Sequence, residues 1–179
     1  MKKYKDDYEI VSSIDEKGRE KETLAYRGVY FDVVAGKSTL TQVKRQSLLM
    51  LALIVILHVS GGFLKNKSMY QLYVSLPYVF AYMAIWYTII GTFRFPTQKR
   101  KYRRNEIDLS INRAQRASKA LMVLLILGEF GGLLFLAFNS EANLMSEYLY
   151  LIFNALTIAT LFFTIRLQGE INIHPSTDQ

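Results

Sequence analysis

His58, Glu129 and Asn154 are the residues of this 179-residue chain best placed to do chemistry, because each interrupts an otherwise apolar run. A carboxylate in hydrocarbon costs roughly 2.5 to 3.5 kcal/mol on insertion scales for Asp, so Glu129 is expected to face a bundle interior or a cavity. His58 and Glu129 each stand three residues before a glycine that would admit a neighbouring helix, and the two are candidates to meet. One reading is a proton-handling pair, in which Glu129 exchanges a proton with His58 or binds a cationic solute, as in a small proton-coupled carrier. The other is a buried hydrogen-bonded pair that locks helices together, with Asn154 as a further link. Tyr78, Tyr82 and Trp86 recur one helical turn apart. Such a stripe can line a cation site or simply pack against helices and lipid.

Little else points to catalysis. Cysteine is absent, which removes disulfides, thiolate metal sites and cysteine nucleophiles. With two histidines, no HExxH, no nucleophile elbow and no aspartate cluster, neither a metal site nor an enzyme is expected, and no cofactor is implied. Gly36-Lys37-Ser38-Thr39 imitates the end of a phosphate-binding loop, but Phe31 stands where the first glycine belongs, so nucleotide binding is rejected. His174 lies in the polar tail with no partner in view.

The elements that must position these side chains are four apolar runs, 47–64, 69–93, 120–138 and 148–165, of 18, 25, 19 and 18 residues. Each is close to the roughly 20 residues a helix needs to cross the hydrocarbon core. None shows the polar–apolar alternation of a barrel strand, so an all-α membrane protein of four transmembrane helices is predicted. The 46 residues before the first run lack the short apolar core of a secretory leader, so that run is expected to insert uncleaved.

Residues 94–119 carry nine basic side chains, among them Arg94, Arg100, Lys101, Arg103, Arg104, Arg113, Arg116 and Lys119, and should face the cytoplasm. The short connections hold Lys65 and Lys67 in one case and Glu141 and Glu147 in the other, which fits the opposite face except for the two lysines. With four crossings both termini join the basic loop, and Lys37, Lys44 and Arg45 agree. The expected location is the cell membrane, multi-pass, with cytoplasmic ends. Arg100, Lys101, Arg103 and Arg104 are the candidate contacts to anionic lipid or to a partner, or merely topology determinants.

A shift of 70 residues matches Leu51, Ile56, Leu57, Gly61, Gly62 and Leu64 to Leu121, Ile126, Leu127, Gly131, Gly132 and Leu134, and a shift of 72 matches Tyr78, Thr88, Thr92 and Arg94 to Tyr150, Thr160, Thr164 and Arg166. Two tandem hairpins in a parallel repeat are therefore expected, with the pseudo-axis along the membrane normal. Gly128 with Gly132 forms a GxxxG pair, Gly61-Gly62 is the counterpart in the first run, and Ala84 with Thr88 and Ala155 with Ala159 supply small faces on the other two. Pro77 predicts a kink.

Ile107, Ile111, Ala114 and Leu121 fall on one face, predicting a helix from near Asn105 that runs along the interface into the third run. Thr39 and Gln42 have capping-box spacing before the first. Residues 7–34 read as a small strand pair turning at Glu16-Lys17-Gly18. A lone hairpin is marginal in water, so it is expected to pack on the membrane, the basic loop or a partner.

The chain thus divides into a cytoplasmic tail with a β-hairpin (1–45), a first transmembrane hairpin (46–94), a basic cytoplasmic loop with an interfacial helix (95–119), a second hairpin (120–166) and a cytoplasmic tail (167–179). The leading expectation is a non-catalytic subunit of a membrane complex with a cytoplasmic docking surface. The alternative is a small proton- or cation-coupled transporter acting as an oligomer through Glu129 and His58. The partners implied are membrane lipids, other membrane subunits or further copies of the chain, and a cytoplasmic protein, with no nucleic acid.

Overall fold

The computed structural model describes residues 2–14, 20–36, 39–98, 101–139 and 144–176. The expected turn at 16–18, Lys37, Arg100 and Glu141 lie outside them.

Four helices are long and apolar enough to cross a membrane. The first, α1 (Leu40–Gly62), starts where the Thr39 side chain accepts from the Gln42 amide while the Gln42 side chain accepts from the Thr39 amide, the predicted capping box. A 3-10 turn at Lys67–Tyr70 leads into α2 (Leu72–Phe93), which stays helical through Pro77. Next come α3 (Arg104–Leu109) and α4 (Ile111–Phe138), separated at Ser110, whose hydroxyl donates back to the Glu106 carbonyl at 2.6 Å. Such back-bonding bends a helix and here turns the lead-in against the long one. The expected apolar face of this lead-in is present, with Ile107, Ile111, Ala114 and Leu121 all buried. The last helix, α5, spans Leu144–Gln168.

Around the bundle, α2 packs most extensively on α4 and α1 on α5, with α4 also against α5. Leu51, Ile54, Ala81, Ile85, Leu121, Leu125 and Leu161 form the core between them. The partition of side chains is that of a lipid-facing bundle. Ser47, His58, Thr88, Thr92, Ser118, Asn154, Thr157 and Thr164 are buried inside, while Leu53, Ile56, Phe80, Met83, Trp86, Val123, Phe130, Ile152 and Phe162 are exposed outside. Water would penalise so large an apolar exterior, whereas hydrocarbon accepts it. The four helices are consistent with an integral membrane protein.

The β structure is richer than the single strand pair expected over 7–34. Strands β1 (Tyr8–Ile14) and β2 (Glu20–Tyr26) form an antiparallel hairpin with Tyr8 opposite Tyr26. The chain then turns at Gly28, and β3 (Tyr30–Ala35) joins a different sheet, between β4 (Tyr102–Arg103) and β5 (Ile171–Pro175), in the order β4-β3-β5. At Gly28 a Cβ would sit 2.6 Å from the Tyr26 hydroxyl oxygen, which itself donates to the Val29 carbonyl, so the turn is packed too closely for a side chain. Alternation decides which face is buried. Phe31, Val33 and Ala35 lie opposite Tyr102, Ile173 and Ile171, and this face joins Val43, Phe95, Ile107, Ile111 and Ala114 in a second core at the base of the bundle. The N-terminal tail, the basic loop and the C-terminal tail thus meet at one end of the molecule, here termed the basic end. His174 lies on β5, opposite Asp32.

Candidate functional site

Each of the two helix pairs, α1 with α2 and α4 with α5, is fastened by its own polar knot, in the half of the bundle away from the basic end. In the first, the His58 imidazole Nε2 donates to the Tyr78 carbonyl at 3.2 Å, and the Tyr78 hydroxyl donates to the His58 carbonyl at 2.8 Å. Because that hydroxyl spends its proton on His58, the Tyr82 hydroxyl donates to it, across 2.9 Å. The Tyr78 ring stacks on the imidazole at 4.2 Å, and Tyr82 meets it edge-on at 4.8 Å. Gly62 leaves room for this knot, since a Cβ there would collide with the Tyr78 hydroxyl. Of the aromatic stripe, Tyr78 and Tyr82 gather round His58, and Trp86 faces outward at 62% exposure.

The second knot joins α4 to α5. Asn154 Nδ2 donates to Glu129 Oε2 at 2.8 Å and to the Leu125 carbonyl at 3.0 Å, using both amide protons. His58 and Glu129 are not brought together: among the described residues no hydrogen bond or ion pair joins them, because each is committed within its own helix pair. Tyr78 and Tyr150, matched by the 72-residue shift, approach each other between the knots with ring centroids 6.4 Å apart.

Close approach of the backbones places these groups. A Cβ on Gly132 would lie 2.8 Å from Leu151 Cδ2 and 3.4 Å from Tyr150, and one on Gly128 would lie 3.5 Å from the Tyr150 hydroxyl, so the GxxxG face receives α5. Gly61 likewise faces Tyr150. Gly131 receives α2, where the Tyr73 carbonyl oxygen would be 3.0 Å from an added Cβ. Pro77 has no amide proton to give that carbonyl, so proline and glycine act together at this contact.

Three features were not anticipated. Glu147 reads as an outer-loop acid, yet it is 1% exposed, and its Oε1 accepts the Ser68 amide at 3.1 Å while Asn66 Nδ2 donates to the Ser68 hydroxyl at 3.0 Å. It clasps the connection between α1 and α2. The signal was its spacing of three, four and seven from the buried Tyr150, Leu151 and Asn154. At the basic end, Gly91 gives the tightest backbone approach, with a virtual Cβ 2.7 Å from the Ala114 amide nitrogen. It extends a small-residue row of Ala81, Ala84 and Thr88 that was legible in part. The third is Gln168, buried between α4 and α5, with Oε1 accepting from the Ser118 hydroxyl at 3.2 Å.

The β1–β2 hairpin seats on the basic loop through Tyr26. The Arg104 amide donates to the Tyr26 hydroxyl at 3.1 Å, and the Arg103 guanidinium carbon lies 5.5 Å from the centre of the Tyr26 ring. Tyr4 adds a bond from its hydroxyl to Asp108 at 2.9 Å. A hydrogen bond to the Tyr8 side chain raises the pKa of Arg103 further above an already high value, so this exposed cation stays charged. Arg103 and Arg104, both exposed, therefore give a basic surface beside the hairpin, and Lys101 is exposed two residues before them. Ile10 and Leu24, directly opposite each other on the hairpin, are 63% and 70% exposed. A cleft of about 400 Å³ between the end of α2 and α3 is lined by Arg94, Pro96, Tyr102, Asn105 and Glu106.

No protein-family model, curated protein or solved structure gives a significant match to this chain.

Proposed function

We propose that the chain is a four-span integral membrane protein of the cell membrane, with both tails and the basic loop in the cytoplasm, acting as a non-catalytic subunit that offers its basic end to a protein partner. One observation carries this reading: three segments that the positive-inside rule places on one side fold into a single body, whose hairpin exposes an apolar Ile10–Leu24 pair beside a basic surface. An exposed apolar pair flanked by charge is the composition of a small docking patch rather than of a solvated loop. The tandem repeat is supported by the packing, because the α2–α4 and α1–α5 contacts are the two a twofold relation would exchange.

The transport alternative is supported less well. It needs Glu129 and His58 to pass a proton, yet each is bonded within its own helix pair, and Leu51, Ile54, Leu121, Leu125 and Leu161 fill the bundle between them and the basic end. The test is purification in mild detergent from cells that express the protein naturally, read by light scattering and mass spectrometry. A stoichiometric second chain that is lost on Ile10→Lys with Leu24→Lys is expected. A clean homo-oligomer indifferent to those changes would overturn the subunit reading, and proton flux in vesicles would then be measured on Glu129→Gln.

A further inference from the structure

At the basic end the seam between α2 and α4 opens into a groove of about 400 Å³, walled by Tyr87 on α2 and by Arg113, Arg116, Ala117 and Ala120 on α4. Its width comes from small side chains, since Ala84 forms the floor opposite Ala117 and Ala120. The Arg113 guanidinium carbon sits 5.9 Å from the centre of the Tyr87 ring, which holds the cation over the opening. Among the described residues neither Arg113 nor Arg116 enters an ion pair. Asp108 also reaches the rim, but its carboxylate oxygens already accept the Tyr4 hydroxyl at 2.9 Å and Asn112 Nδ2 at 2.7 Å. The two arginines lie one to two turns before the apolar run that starts at residue 120, the depth of phospholipid headgroups if that run spans the bilayer. Met83, one turn before Tyr87 on α2, and Val123, one turn after Ala120 on α4, are 58% and 57% exposed, so helical spacing puts an apolar bed next to the groove on its side away from the basic end.

From these features we infer that the groove binds an anionic phospholipid of the leaflet on the basic side. Its phosphate lies between Arg113 and Arg116, and an acyl chain runs past Ala117 and Ala120 towards Met83 and Val123. The inference rests on the membrane reading above. A free phosphate would meet the two guanidiniums but leave the apolar bed empty, whereas a lipid uses both. These residues differ from Arg103 and Arg104, which meet the hairpin at Tyr26.

The test is native mass spectrometry of the full chain in nonionic detergent, titrated with phosphatidylglycerol and with phosphatidylcholine of the same acyl chains. Phosphatidylglycerol should be retained in preference, and Arg113→Gln with Arg116→Gln should weaken its binding on the order of tenfold. Ala120→Phe, at an exposed position, keeps both charges and fills the bed, so it should weaken binding too. Equal retention of the two lipids, a double variant that binds like the parent, or displacement of the lipid by glycerol phosphate would each overturn the inference. Circular dichroism melting confirms that the variants fold. Alkaline carbonate extraction separates the two readings. A chain that leaves the membrane pellet defeats the membrane reading itself, whereas one that stays in the pellet without lipid preference defeats only the lipid site.

Discussion

At the 2.8 Å contact between Asn154 and Glu129 the donor is a neutral amide, so either oxygen-bearing form of residue 129 can accept from it. Glu129→Gln should therefore leave stability in detergent nearly unchanged, whereas Glu129→Ala should lose about 0.6 to 2 kcal/mol, the range of interhelical hydrogen bonds in membrane proteins. Thermal unfolding of both variants checks this, and a Gln variant as unstable as the Ala one would mean that the carboxylate has a partner besides Asn154. Glycine offers a sharper case. Gly91→Ala puts a methyl 2.7 Å from a backbone nitrogen of α4, which no rotamer change can relieve, so a loss of about 1 to 3 kcal/mol is expected. At Gly36 the nearest atom to an added Cβ is the Glu170 carbonyl oxygen at 3.6 Å, and alanine there should be tolerated. The costly residues were legible from hydrocarbon alone: His58 and Asn154 are buried, and Glu129, half-buried, accepts from Asn154. Their partners were not, because repeat spacing sets the level of a residue along its helix and leaves open which neighbour it meets. Gly91 escaped notice because it has no glycine partner at four-residue spacing, although its row of small residues was in view.

Elements were legible where their cause is local. The capping box at Thr39 and Gln42 marks the start of α1 within the chain itself, and the four-three spacing of Ile107, Ile111 and Ala114 marks the lead-in to α4. Thr39→Ala should cost about 1 kcal/mol and fray the first turn of α1, a loss that hydrogen exchange over residues 40–43 would register. Strands β4 and β5 are another matter. One is two residues long, the other sits in a polar tail, and both owe their existence to β3, from which they are remote in sequence. No period or turn signal announces a strand whose partner lies two long helices away, as for β4, or four, as for β5. Ile171 shows what β5 contributes, for it is 6% exposed in the core shared by Val33, Val43, Phe95 and Ile111. Ile171→Ala should cost about 2 to 4 kcal/mol in that core. Because the damage is confined to the basic end, limited proteolysis should cut the tail sooner while the helical signal in circular dichroism persists. Loss of both together would mean that the bundle depends on the sheet.

For the whole molecule, the proposed orientation rests on three facts of different kind. The exterior of the bundle is apolar and its interior partly polar; the basic loop and both tails share one end; and the connection between α1 and α2 lies at the other. The first two support insertion with an even number of crossings, and the positive charge of the shared end supports placing it in the cytoplasm. Only Lys65 and Lys67 oppose that placement, and two lysines are outweighed by the larger cluster of basic residues on the opposite connection. Since the chain has no cysteine, a single introduced thiol reports its own position without background. Ser12→Cys on the hairpin, Ser176→Cys beyond β5 and Lys65→Cys after α1 sample the two ends. A membrane-impermeant maleimide applied to intact cells should label only Lys65→Cys, and permeabilisation should expose the other two. The reverse pattern would keep the four-helix bundle but turn it over, placing the basic surface and the groove at Arg113 and Arg116 outside. If Lys65→Cys and Ser176→Cys were labelled together, one of the four helices would not cross, and the joining of tails and loop into one sheet would need another explanation.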